Sequence, residues 1–267
     1  MLRSFFVGLF LALVAAPALA QENYGVVGCG PASSKNLVPR QLSDGALYLA
    51  RNEIGPVQQD IASAAVSHSF CDGDRNGRWR FEGNLSLVDD DFDQAQSVVA
   101  GVGYQFSLGP TTSFSPVARI GYASFGNADD QVAAGVGLIF SHSAFVSENQ
   151  GADATWLTFD FAPEYTNWQS TDVAAQALSF DDGVFSNFAA AGVSFPVQNL
   201  RGRFRVAHRY IDSEGPVSSI GSVILSLGRD TLGGACNGKC WNVDLWFSKG
   251  DGDYSSVLIG LSSPIGR

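Results

Sequence analysis

The sequence predicts an all-β chain: an antiparallel up-and-down transmembrane β-barrel of about ten strands, within roughly 8–12, preceded by a short helical N-terminal segment. Three observations carry this. From residue 78 onward the chain breaks into segments whose side chains alternate between bulky apolar and small or polar. Charged residues are only 16% of the chain, against the ~25% usual for a soluble protein. The opening residues read as an export signal.

Residues 1–20 form that signal. Arg3 precedes an apolar run from Phe5 to Ala16, then Pro17 and the small-residue site Ala18-Leu19-Ala20, so the mature chain is expected to start near Gln21. The run is too short to span a bilayer, and no later stretch holds the ~18 consecutive apolar residues of a membrane helix. Entry into a membrane must therefore use strands. Residues 21–77 read as an N-terminal periplasmic or plug segment, with the lead "VVGCGPASSKNLVPR" followed by a helical pattern from Ser43 to about Ser67. Ser43 or Asp44 suits an N-cap and Gly55-Pro56 a break, while Leu47, Ala50, Ile54, Val57, Ile61 and Ala64 or Ala65 recur at helical spacing.

The barrel is expected over residues 78–267, with strands at 78–88, 95–107, 112–125, 131–143, 154–167, 184–196, 201–212, 218–228, 240–248 and 254–263. Most reach or exceed the ~9–11 residues that a tilted strand needs to cross hydrocarbon. In "QSVVAGVGYQFSL", Val98, Ala100, Val102, Tyr104 and Phe106 share one face, with Ser97, Gly101, Gly103, Gln105 and Ser107 on the other. Val132, Val136, Leu138 and Phe140 repeat the bulky face, as do Leu157, Phe159 and Phe161, and Trp241, Val243, Leu245 and Phe247.

A soluble exported β-domain would bury the bulky wall and wet the other. Across Ala95–Ala128, however, Arg119 is the only charge, and a Gly/Ser exterior without Lys or Glu is poorly guarded against edge pairing. The bulky wall therefore faces lipid. Aromatic residues mark two girdles: Tyr104, Phe106, Phe114, Phe140, Trp156, Phe195, Phe204 and Trp241 near one end, and Tyr122, Phe125, Tyr165, Trp168, Tyr210 and Tyr254 near the other.

With these features the chain resembles the small porin-like class of Gram-negative outer-membrane β-barrel proteins. The resemblance spans residues 78–267 and is one of class, without a diagnostic motif. It implies an outer-membrane location, contact with outer-membrane lipid and lipopolysaccharide, and insertion by the barrel-assembly machinery. Members of that class end the last strand on an aromatic residue, whereas here Leu261 is followed by "SSPIGR". The resemblance makes acidic connections such as "DDDFDQ" and "GNADD" extracellular. An autotransporter-like translocator is the second reading, because a helical segment precedes the barrel.

The inward wall carries the unusual chemistry. Arg201, Arg203, Arg205 and Arg209 share one parity, and Arg78, Arg80 and Arg119 join them; the inward acids are Glu82, Asp160, Glu164 and Asp244. Such a lumen is either an anion-attracting eyelet or an internal ion-pair network, and a narrow barrel favours the network. An envelope-structural role, or narrow passive permeation, follows.

Other chemistry finds little support. His142-Ser143 near Glu148 evokes a lipid A deacylase, but adjacent strand residues point to opposite faces, so no catalytic residue, metal or cofactor is expected. Without Arg3 the 16 Lys+Arg fall to 15 against 26 Asp+Glu, which disfavours nucleic acid. Cys29, Cys71, Cys236 and Cys240 are disulfide candidates in an oxidising compartment, with three pairings open. The aspartates of the connections read as solvated loop charge rather than calcium sites.

Overall fold

A computed structural model describes residues 41–72, 77–90, 94–109, 111–126, 130–146, 155–170, 183–212, 217–229 and 241–264. Twelve antiparallel strands close on themselves. They are β1 Gln41–Ile54, β2 Val57–Cys71, β3 Gly77–Asp90, β4 Gln94–Ser107, β5 Thr112–Phe125, β6 Gln131–Phe145, β7 Trp156–Ser170, β8 Val184–Val197, β9 Leu200–Asp212, β10 Ser219–Arg229, β11 Trp241–Gly250 and β12 Tyr254–Pro264. Each strand pairs with its sequence neighbours, and β1 closes the barrel against β12, Leu47 facing Leu261 and Arg51 facing Val257.

The count of about ten strands is thus corrected to twelve, and the expected helix over Ser43–Ser67 is corrected to the hairpin β1–β2. The barrel begins at Gln41 rather than residue 78. No helix occurs among the described residues; residues 1–40, with the expected signal and Cys29, lie outside them. Gly55-Pro56 is a two-residue turn between Ile54 and Val57, and Gly55 takes φ 57°, which a primed hairpin turn requires at its first position and only Gly adopts freely. Along β1, Tyr48, Asn52 and Ile54 are buried inward while Leu47, Leu49, Arg51 and Glu53 face out. The apparent helical spacing mixed residues from both faces.

All remaining expected strands are present with bounds shifted by a few residues. The bulky wall is outside: Val98, Val102, Ile120, Val136, Leu157, Val206, Leu225, Val257 and Ile259 are exposed. Trp79, Phe106, Phe195, Phe204 and Trp241 lie on that surface toward the end that carries the start of β1 and the finish of β12, called here the terminal end. Tyr122, Phe185 and Tyr210 lie toward the opposite end. Three expected girdle members are corrected: Phe125, Trp156 and Tyr254 are buried and face the lumen. The Trp168 side chain lies outside the described residues.

Two prolines thin the ladder at one level. Pro116 pairs with Leu138 of β6, pairing between β4 and β5 lapses between Gly103 and Phe106, and pairing between β6 and β7 lapses between Gly137 and Phe140, opposite the stretch of β7 that holds Pro163. Proline donates no amide hydrogen, so the ladder loses a bond there without a change of register. At the opposite end, Asp251 clamps the start of β10, accepting bonds from the Ser218 amide at 2.8 Å, the Ser218 hydroxyl at 2.5 Å and the Ser219 amide at 3.0 Å. The Ser218 hydroxyl, then the Ser219 amide, hold the Asp251 carboxyl below its ordinary range.

The lumen is packed unevenly. Near the end opposite the termini it is apolar, with Ile54, Ile211, Val217, Ile220 and Tyr254 in one cluster and Ile61, Val88, Ala95, Ala123 and Phe125 in another. A cavity of about 710 Å³ opens at that end along β1–β5, with Ile61, Val88, Ala95 and Phe125 among its lining. Farther in, Tyr48, Ala65, Ile224, Trp246 and Leu258 pack on the wall closed by β1 and β12.

Candidate functional site in the lumen

The alternation of each strand turns all eleven charged residues singled out above toward the lumen. Arg78, Arg80, Arg119, Arg201, Arg205, Arg209, Asp160 and Asp244 are buried, and Arg203, Glu82 and Glu164 are half-buried. They gather chiefly on the wall from β3 to β9. Arg119 of β5 sits at the centre, donating from Nε to Glu82 at 2.5 Å and from Nη1 to Glu164 at 2.5 Å. Arg80 approaches the other oxygen of Glu82 at 3.7 Å. Arg205 of β9 donates to Asp160 of β7, whose second oxygen accepts from the Ser141 hydroxyl at 2.7 Å.

The outer members have neutral groups among their partners. Arg201 donates to the Ser194 hydroxyl at 3.2 Å and Arg78 to the Ser69 hydroxyl at 3.1 Å, while Asn242 donates to Asp244 at 2.7 Å. Arg203 has contacts of its own. A charge taken out of water costs several kcal/mol unless it is paired and hydrogen-bonded, which is why the acids sit where the arginines reach.

Glycines make these reaches possible. In register, Gly101 lies between Glu82 and Arg119, and Gly135 lies between Arg119 and Thr166. Glu82 and Arg119 are two strands apart and meet across a residue with no side chain, as do Arg119 and Glu164 on the other side. A Cβ at Gly101 would stand 2.8 Å from Glu82 Cγ, and one at Gly135 would stand 2.8 Å from Thr166 Oγ1. Gly192 plays the same part beneath Arg205, where a Cβ would fall 2.4 Å from Arg205 Cγ and 2.5 Å from the Phe204 carbonyl oxygen. The sequence pattern shows these glycines only as small inward residues; their role depends on which strands adjoin. Gly192→Val is expected to lower the unfolding free energy by ~1–3 kcal/mol through overpacking. Gly221→Val, outward with only the Lys249 carbonyl at 3.8 Å, is the matched control, read by denaturant titration of the refolded barrel.

The histidines all face outward as cross-strand pairs: Ser43 with His68 at 2.7 Å, Thr112 with His142 at 2.8 Å and His208 with Ser219 at 2.9 Å. Ser143 is buried inward, away from His142. Cys71 ends β2 and is not a free thiol; Cys29, Cys236 and Cys240 lie outside the described residues, as do Asp91, Asp93, Asp129, Asp181 and Asp182. No group of three or more metal-ligating side chains gathers among the described residues.

An exterior belt of exposed aliphatic residues around a closed sheet, enclosing buried arginines and carboxylates, defines a class: the transmembrane β-barrel of the outer-membrane type. Comparison with solved structures agrees on the fold. The chain is similar to the translocator domain of the autotransporter NalP from Neisseria meningitidis, with a TM-score of 0.59 and 10% identity over 96% of this chain and 98% of that one. It is similar to the beta domain of the Bordetella autotransporter BrkA at a TM-score of 0.55 and 10% identity, covering 84% and 99%. An outer membrane channel from Pseudomonas putida gives 0.54 and 9%, covering 85% and 97%. No protein-family model matches the chain, and no curated protein sequence matches it.

Proposed function

We propose that the protein is a small outer-membrane barrel that serves envelope structure, its lumen narrowed by the ion-pair wall to slight passive permeation at most. The carrying observation is that Arg119, Arg205, Glu82, Glu164 and Asp160 are spent on one another. A side chain held in a buried pair is not available to a passing ion. In this reading the terminal end is periplasmic, because an even number of strands returns both ends of the barrel to the side from which it was inserted. Cys71 at that end is the natural anchor for Cys29, and Cys236 with Cys240 would close the loop "CNGKC". Lipopolysaccharide meets the rim of the opposite end, and the barrel-assembly machinery inserts the chain.

The likeness to NalP and BrkA raises a translocator as the second reading. A translocator needs a lumen that a chain can pass, and paired side chains together with Tyr48 and Trp246 occupy this one. Planar-bilayer recording of protein extracted from outer membranes by detergent separates the readings. Near-silence is expected, with Arg203→Glu plus Arg205→Glu lowering thermal stability, since acids facing Asp160 repel. Small anion-selective steps that reverse in the double variant would mean an open arginine path, and large non-selective steps would overturn the closed lumen altogether.

A further inference from the structure

Arg209 stands apart from the other inward arginines. Its side chain is nine-tenths buried, at 9% exposure, yet its one direct interaction among the described residues is with an aromatic ring, the guanidinium carbon lying 5.4 Å from the centre of Phe188. Glu164 and Tyr254 act on it only at longer range. Its four nearest inward positions are apolar: Phe188 and Ile220 across the ladder, Ala207 and Ile211 along β9. The cation therefore sits where the charged lumen gives way to the apolar cluster of Ile54, Ile211, Val217, Ile220 and Tyr254.

A cation–π contact is worth a few kcal/mol at most and leaves the guanidinium donors without a protein acceptor among the described residues, while none of the Arg209 nitrogens is sealed from the lumen. Open, positively charged donors of this kind suit an anion. We infer that Arg209 and its apolar collar form a lumen site for a small monocarboxylate with an apolar body, entering from the end opposite the termini. Guanidinium geometry matches a carboxylate with two parallel hydrogen bonds, and Phe188, Ile211 and Ile220 cover the rest of such a molecule. A hydrophilic anion such as phosphate would leave its remaining oxygens against hydrocarbon. The site goes beyond the structural reading and does not depend on whether the lumen conducts, because it is read by binding to the isolated barrel.

The test is calorimetric titration of the folded protein in detergent with benzoate, alongside benzyl alcohol, which has the body without the charge, and acetate, which has the charge without the body. Saturable benzoate binding is expected, weakened by about tenfold or more in Arg209→Met, the factor carried by one charge-assisted hydrogen bond. Benzyl alcohol and acetate should each bind more weakly than benzoate by a similar margin. Should Arg209→Met not fold, Ile220→Asp supplies a carboxylate directly opposite Arg209 and is expected to abolish benzoate binding. Absence of binding by the wild type, equal binding by Arg209→Met, or undiminished binding by Ile220→Asp would overturn the site. Equal affinity for benzyl alcohol would overturn it too, by showing that only the apolar collar binds.

Discussion

Arg119→Leu is expected to cost ~3–5 kcal/mol of unfolding free energy, the largest effect of any single lumen substitution, because it leaves two buried carboxylates without their cation. Glu82 and Glu164 each give Arg119 a 2.5 Å bond, and all three side chains are less than one-fifth exposed. The companion variant is more informative than the loss alone. Removing the acids as well, with Glu82→Gln and Glu164→Gln, should restore most of the stability, since an ion pair replaced whole costs far less than one broken in half. Urea titration of the barrel in detergent, following the shift between folded and unfolded migration on gels, reads both. A barrel indifferent to Arg119→Leu would show that water reaches the trio freely and that the lumen is wet at that level.

Val102→Arg should cost ~2–4 kcal/mol if Val102 lies at the bilayer midplane, whereas Gln96→Arg on the same strand and face, nearer the rim, should cost ~0–1. Both side chains are exposed on the outer surface of β4. The pair holds parity constant and varies depth, so a soluble barrel, whose exterior is wet along its whole length, predicts no difference between them. The measurement is refolding into phospholipid vesicles under denaturant. Equal costs would place the outer wall in water. Inward Gly103 is a poor contrast for this purpose, since a Cβ there would meet Val117 Cγ1 at 2.8 Å and the Pro116 carbonyl at 3.2 Å.

Local alternation carried much of the fold. A strand such as Thr112–Phe125 announces itself because Phe114, Ala118, Ile120 and Tyr122 share one face and Ser113, Ser115 and Arg119 the other, and the contrast survives without any knowledge of neighbours. For the same reason the inward direction of all eleven charged residues was readable, given only that the bulky wall meets lipid. The hairpin β1–β2 was not readable. Its "IASAAVSHS" run offers little contrast between faces, so period 2 is mute and a few aliphatic residues at chance helical spacing speak instead. What fixes it as strand is the closure of the sheet, with β1 bonded to β2 on one side and to β12 on the other.

Facing could be read where partnership could not. Arg119 meets Glu82 and Glu164, 37 and 45 residues away in the chain, across intervening glycines whose position is set by register around the whole barrel. The girdle was misjudged for another reason: Phe125 and Trp156 share the inward parity of Arg119 and Asp160, and Tyr254 that of Leu258, so alternation outweighs their place near the strand ends and turns them into the lumen. By itself the sequence determined the strand-rich class, ten of the twelve strands and which side chains face in, because those follow from a two-residue period that each strand expresses alone. The tertiary structure decided the closing strands, the choice of ionic partners and the isolation of Arg209, because those are set by neighbours that closure brings together from distant parts of the chain.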